Sequence, residues 1–88
     1  MTPSDNEIMQ AVREHLAREF PARRDEVAAL GADVRLSDEG LVDSLSFAAL
    51  VAFVEERFAV TVPPTHFAPQ RFATLRLVAR YVASAGGA

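Results

Sequence analysis

Gly40-Leu41-Val42-Asp43-Ser44-Leu45-Ser46-Phe47-Ala48-Ala49-Leu50-Val51-Ala52-Phe53-Val54-Glu55-Glu56-Arg57-Phe58 is the stretch on which the reading of this 88-residue chain turns. Asp43 and Ser44 belong to the residue types that open helices, because their side-chain oxygens accept from backbone N–H groups that a first helical turn leaves unpaired. Nearly every residue from Leu45 to Val54 is apolar, and the spacing predicts a helix over 45–58. At roughly 100° per residue the apolar side chains separate into two groups. Phe47, Leu50, Val51, Val54 and Phe58 share an arc of roughly 100°, which is a core face. Leu45, Ala48, Ala49 and Ala52 lie on the far side with Glu56, flanked by Glu55. That second face reads first as plain solvated helix, since alanine is a good helix former. It reads second as a shallow apolar docking face with an acidic rim, which partner proteins could cover and uncover.

Outward from this helix, the chain supplies the rest of a bundle. Ser4 followed by Glu7 is a capping-box pattern, and Ile8, Val12, Leu16 and Phe20 then recur every fourth residue with Met9 beside them. Glu7, Arg13, Glu14 and Arg18 fall opposite, so a first amphipathic helix is predicted, closed by Pro21. Pro21 to Asp43 shows no sustained period, although Arg24 to Leu30 suits a short helix ending at Gly31. Val27, Leu30, Val34, Leu36, Leu41 and Val42 are too many apolar residues for a free linker, so this long first loop is expected to pack on the core. Pro63 and Pro64 end the central helix region, and Thr65 to Phe72 is expected to hold one helical turn followed by a loop. Thr74 is an N-cap for a last helix with Leu75, Val78, Ala79 and Val82 inward and Arg76 and Arg80 outward. Residues 1–88 are expected to form one all-α domain, with an ordered core over about 5–83 and a flexible small-residue tail over 84–88.

Composition removes several function classes. There is no cysteine, which excludes a disulfide framework, a thiolate metal site and a cysteine nucleophile, and makes a reducing cytoplasmic setting the expectation. A net charge of −3, with nine scattered arginines and no lysine, gives no footprint for nucleic acid. No apolar run reaches the length of a membrane span, and the polar start Met1 to Asp5 does not read as a leader, so no membrane insertion is expected.

Catalytic constellations fare no better. Asp43, Ser44 and one of His15 or His66 would have to form a triad, yet adjacent Asp and Ser cannot place a histidine between them. His15 is expected at the surface or boundary of the first helix and His66 in a turn, without metal-ligand spacing. Asp38-Glu39 and Glu55-Glu56 read as solvated acids. Arg71, Arg76 and Arg80 give the last helix a basic side, read first as solvated and second as a partner contact. No catalytic and no metal-binding residues are assigned.

Ser44 carries the remaining chemistry. With Asp43 available as the cap, its hydroxyl is left over at a helix N-terminus, where unpaired N–H groups and the helix dipole favour a phosphate. The run Gly40 to Leu45, the helix ending in Glu55-Glu56-Arg57-Phe58, the exit Val60-Thr61-Val62-Pro63 and the last-helix start Phe72-Ala73-Thr74-Leu75 together resemble the acyl and peptidyl carrier protein family. Asp-Ser-Leu alone is a common tripeptide; the likeness lies in the order and spacing of the whole set, which spans nearly the whole chain.

The resemblance implies a four-helix carrier bundle, three main helices and one short one, monomeric, with Ser44 receiving 4′-phosphopantetheine from coenzyme A. Asp43 and Leu45 would flank the site and be recognised by the phosphopantetheinyl transferase. The carrier would catalyse nothing: the arm's thiol would hold an acyl or aminoacyl group as a thioester and raise its effective concentration at each partner. The other implied partners are an acyl- or aminoacyl-loading enzyme and a downstream acyltransferase or synthase. They would dock on Leu45, Ala48, Ala49, Ala52, Glu55 and Glu56. The working sulfur would arrive with the cofactor, which suits a chain without protein thiols. Family members usually carry acids early in the second helix, where this chain has Ser46 and Ala49. Weaker steering by charge points away from primary fatty-acid synthesis. A dedicated polyketide or nonribosomal peptide pathway is the expectation; a D-alanyl-type or fatty-acid carrier, or an unmodified carrier-shaped interaction module, are the alternatives.

Overall fold

The computed structural model describes residues 3–86. Four α-helices are present among them: α1 (Asp5–Glu19), α2 (Arg24–Ala28), α3 (Ser44–Phe58) and α4 (Leu75–Gly86). Three 3-10 turns join them, Pro21–Arg23, Pro64–His66 and Pro69–Phe72, and no strand occurs among the described residues.

The first helix forms where its cap and period place it. Ser4 accepts from Glu7 N–H at 3.1 Å while the Glu7 carboxylate accepts from Ser4 N–H at 3.3 Å. Its stripe of Ile8, Val12 and Leu16 is fully buried. Removing a side chain of that size from water contributes about 1.5–3 kcal/mol. α1 packs most extensively on α4 and α2, so it forms the back wall of the bundle, and Leu50, Val51 and Val54 of α3 complete the core.

The long first loop is ordered. Val27, Leu30, Leu36 and Leu41 are buried. Backbone bonds stitch the loop to the start of α4 and the residues just before it: Leu36 N–H donates to Ala73 O at 2.9 Å and Arg76 N–H to Ala32 O at 3.0 Å. The Arg76 guanidinium adds two hydrogen bonds to Asp33 at 2.7 and 3.1 Å. Arg13 Nε donates to Leu30 O at 2.9 Å, tying the same loop to α1.

Three expectations need correction. Thr65 to Phe72 holds two 3-10 turns instead of one, because Pro64 and Pro69 each start a turn with their fixed φ. The last helix runs on through Gly86, into the stretch expected as a tail from 84, because Tyr81, Val82 and Ala85 still pack on the core. The rest of that tail, 87–88, and the first two residues lie outside the described residues. His15 is buried at 8 % exposure, not at a boundary, with its ring stacked on Phe53 at 4.4 Å between centroids.

Candidate functional site

The approach to Ser44 is set by a tight turn. Gly40 takes a φ of 70°, a conformation costly for any residue with a Cβ, and its N–H donates to Ser37 O at 3.1 Å. Leu41 N–H returns to Leu36 O at 3.0 Å and the Leu41 side chain is fully buried. The chain is thereby anchored two residues before Asp43, which is extended and caps α3.

The cap is made by Asp43, not by Ser44. Asp43 Oδ1 accepts from Leu45 N–H at 3.0 Å, Ser46 N–H at 2.9 Å and the Ser46 hydroxyl at 2.8 Å, while Asp43 N–H donates to Ser46 Oγ at 2.9 Å. The backbone and side-chain bonds from Ser46, with a further bond from Leu45, hold the Asp43 carboxyl below the usual carboxylate range. Ser44 is exposed, and its hydroxyl makes no hydrogen bond among the described residues. One expectation changes in kind: the amides of Leu45 and Ser46, which would have favoured a phosphate at Ser44, are already committed to Asp43. A phosphate here would have the helix dipole on one side and a carboxylate on the other.

Beside Val42, two residues before Ser44, opens a groove of about 420 Å³. Leu36, Val42, Phe72, Ala73 and Leu77 give it apolar walls, and Arg35, Ser37 and Gln70 supply polar groups. On the first turns of α3, Phe47 meets Phe67 edge-on at 6.2 Å and Phe72 at 5.7 Å. Phe67 remains 47 % exposed and Leu45, the residue after Ser44, 84 %. These are large apolar surfaces left uncovered close to one helix start.

The far face of α3 is divided. Ala48, Ala52 and Glu56 are exposed with Leu45, whereas Ala49 and Glu55 are half-buried. Glu55 is engaged inside the molecule: its carboxylate accepts from Val62 N–H at 2.9 Å, fastening the segment that leaves α3. Phe53, which belongs to neither predicted group, packs against His15 and edge-on against Phe58 at 6.4 Å. His15 lies on the apolar stripe of α1, seven residues after Ile8, a signal the period did contain.

The histidines are occupied elsewhere. Burial, opposed by Glu19 and aided by Arg18, pushes the His15 pKa down, and His66 Nδ1 pairs with the Tyr81 hydroxyl at 2.9 Å. Neither hydrogen-bonds Asp43 or Ser44 among the described residues. No cluster of three metal-ligating side chains and no helix long and apolar enough to cross a membrane occurs among them either.

Residues 10–82 match the family described as phosphopantetheine attachment site. The chain belongs to this family of phosphopantetheine-binding carrier proteins. Its all-helical architecture is the family's bundle, and its role is that of a carrier that is modified, not of a catalyst. It is 40 % identical over 58 residues to a D-alanyl carrier protein of Abiotrophia defectiva, covering 66 % of this chain and 73 % of that one. It is 37 % identical over 46 residues to a D-alanyl carrier protein of Listeria monocytogenes serotype 4a (strain HCC23), covering 52 % and 59 % respectively. No solved structure matches the chain.

The prosthetic group of the family is 4′-phosphopantetheine, and carriers of this kind are handled by a phosphopantetheinyl transferase and by loading and accepting enzymes. The residues present fit that group. An exposed hydroxyl with no competing bond stands at the head of α3, and the neighbouring groove offers apolar walls with a few polar atoms to a chain built of methylenes and amides.

Proposed function

We propose that Ser44 carries the 4′-phosphopantetheine arm and that the cargo is an amino acid, held through its carboxyl group as a thioester. The observation that supports Ser44 is the division of labour at the head of α3: Asp43 and Ser46 complete the cap between themselves, and the Ser44 hydroxyl is exposed and uncommitted. Esterifying it breaks no hydrogen bond of the fold. The bound arm supplies a thiol, which this chain lacks. Asp43 holds the helix start in one conformation, and Leu45 presents an apolar contact to the transferase. Ala48, Ala52 and Glu56 extend that contact to the enzymes that load and unload the arm.

The likeness to two D-alanyl carrier proteins supports a D-alanyl-type carrier over the polyketide or nonribosomal peptide pathway expected from the sequence. The test is intact-mass spectrometry after incubation with coenzyme A and a phosphopantetheinyl transferase, then with D-alanine, ATP and a D-alanyl carrier ligase. The expected result is one phosphopantetheine on Ser44, none on Ser44→Ala, and one alanyl group on the modified protein. A modified protein that takes polyketide acyl groups but no amino acid would restore the pathway reading. A protein left unmodified by its own host's transferase would mark an interaction module instead.

A further inference from the structure

A second groove, of about 330 Å³, lies along α4 and is lined by Arg71, Leu77, Arg80, Tyr81, Ser84 and Ala85. His66 fixes the Tyr81 hydroxyl from the neighbouring turn at 2.9 Å. Arg71 comes from the 3-10 turn Pro69–Phe72 and Arg80 from the middle of α4, so the two guanidiniums stand on separate elements with apolar surface between. Both are exposed, and neither forms an ion pair among the described residues. Among the described residues, no carboxylate lines the groove. Asp33 feels the charge of Arg80, but its two oxygens are taken by Arg76 at 2.7 and 3.1 Å. Arg71 and Arg80 are therefore left without a carboxylate partner among the described residues, in a protein whose net charge is −3.

We propose that this groove is a docking site for an acidic segment of a partner protein. Its glutamate or aspartate side chains pair with Arg71 and Arg80, and an apolar side chain between them rests against Leu77, Tyr81 and Ala85. A guanidinium presents a planar fork that takes a carboxylate through two hydrogen bonds. Two such forks across an apolar strip match alternating acidic and apolar side chains, not a single small anion. A nucleic acid would meet an overall negative protein. A membrane would need an apolar wedge beside the cations, and the large exposed apolar residues Leu45 and Phe67 line no part of this groove. The groove rests on the carrier reading only in that a carrier must meet other proteins. Its charge is opposite to the acid-rimmed face of α3, so the two surfaces select different partner chemistry.

The test is an NMR titration of the full chain with a synthetic peptide alternating glutamate and leucine, alongside one alternating lysine and leucine. The acidic peptide is expected to shift the amides of Arg71, Leu77, Arg80 and Tyr81, to bind less tightly as salt is raised, and to bind Arg71→Ser/Arg80→Ser roughly 3- to 30-fold more weakly. The lysine peptide is expected to leave those amides unmoved. An unchanged amide dispersion in the double variant shows that the loss is not unfolding. No binding to the natural chain, equal affinity for the double variant, or shifts confined to α3 would overturn the proposal. Modification of the same samples by coenzyme A and a transferase separates the two readings: a chain that binds the peptide but stays unmodified refutes the carrier assignment and leaves the groove intact.

Discussion

Asp43 and Ser46 hold one another in a closed ring at the head of α3, the carboxylate accepting from Ser46 N–H at 2.9 Å and Oγ–H at 2.8 Å while Asp43 N–H donates back to Oγ at 2.9 Å. Ser44 stands between them in sequence and outside the ring. Stability and chemistry are thereby assigned to different residues.

Substitutions at the two positions should therefore differ. Asp43→Ala is expected to lower the melting temperature by roughly 4–8 °C, the usual effect of losing a cap in a domain of this size. Ser44→Ala is expected to leave it unchanged while preventing modification. Calorimetry on both variants decides this, and an equal loss for Ser44→Ala would make that hydroxyl a cap. The depressed Asp43 pKa adds a pH signature. Its stabilisation is complete above the ordinary value of 3.8 and is lost as pH falls through the lower folded value, so Asp43→Asn should flatten the acid limb of the stability curve.

What the sequence made legible was local. The period placed α1 and α3, the Ser4–Glu7 box placed the start of α1, and competition between neighbouring Asp43 and Ser44 for one cap was visible from residue type. What it hid was pairing across distance. Glu55 reads as a solvated rim acid until the chain turns back and brings Val62 N–H to it. The groove beside Val42 is assembled from residues 35–42 and 69–77, which no periodicity relates. His15 was on the buried stripe by spacing, and its polarity argued it outward; the Phe53 ring that receives it lies on another helix. Continuation of α4 through Ser84 and Ala85 depends on packing against the core, which outweighs the weak signal of a small-residue tail.

Ala59 ends α3 in the left-handed region, at φ 54° and ψ 41°, where glycine is the usual residue. A side chain there is held in a crowded conformation by the turn toward Val60 and Val62, both buried. Ala59→Gly removes that strain and adds chain entropy to the unfolded state, for a net gain of about 0.5–1 kcal/mol. A higher urea midpoint with an unchanged slope is the expected result. A lower midpoint would show that the Ala59 methyl group makes a contact worth more than the strain.

Burial lowers the His15 pKa below its ordinary 6.5, despite Glu19 at 4.0 Å. The folded state then favours the neutral ring, and the unfolded chain binds more protons between the folded value and 6.5. Stability should fall as pH drops below about 6.5 and stop falling at the lower folded value. His15→Leu keeps an apolar side chain against Phe53 and should abolish that component, at a cost or gain under about 1.5 kcal/mol near neutral pH. Urea midpoints from pH 5 to 8 for both proteins measure it. An identical slope in the variant would move the effect to another group.

The α3 surface offers the sharpest separation between partner contact and architecture, because neighbouring positions face opposite tasks. Ala52 is exposed, so Ala52→Asp should cost only about 1–2 kcal/mol, from lower helix propensity and repulsion by Glu55 and Glu56 three and four residues on. If the face from Leu45 to Glu56 receives the loading enzyme, the same change should slow loading of the modified carrier, since it puts a charge where an apolar contact is made. Glu55→Ala should behave in the reverse way. It leaves the N–H of buried Val62 without its acceptor and should cost about 1–3 kcal/mol, while Glu55→Gln, which keeps a carbonyl oxygen at that place, recovers most of the loss. Urea midpoints and loading rates for the three variants form a crossed pair of measurements. Unfolding by Ala52→Asp would make that face part of the core, and slowed loading by Glu55→Ala at unchanged stability would return Glu55 to the docking rim.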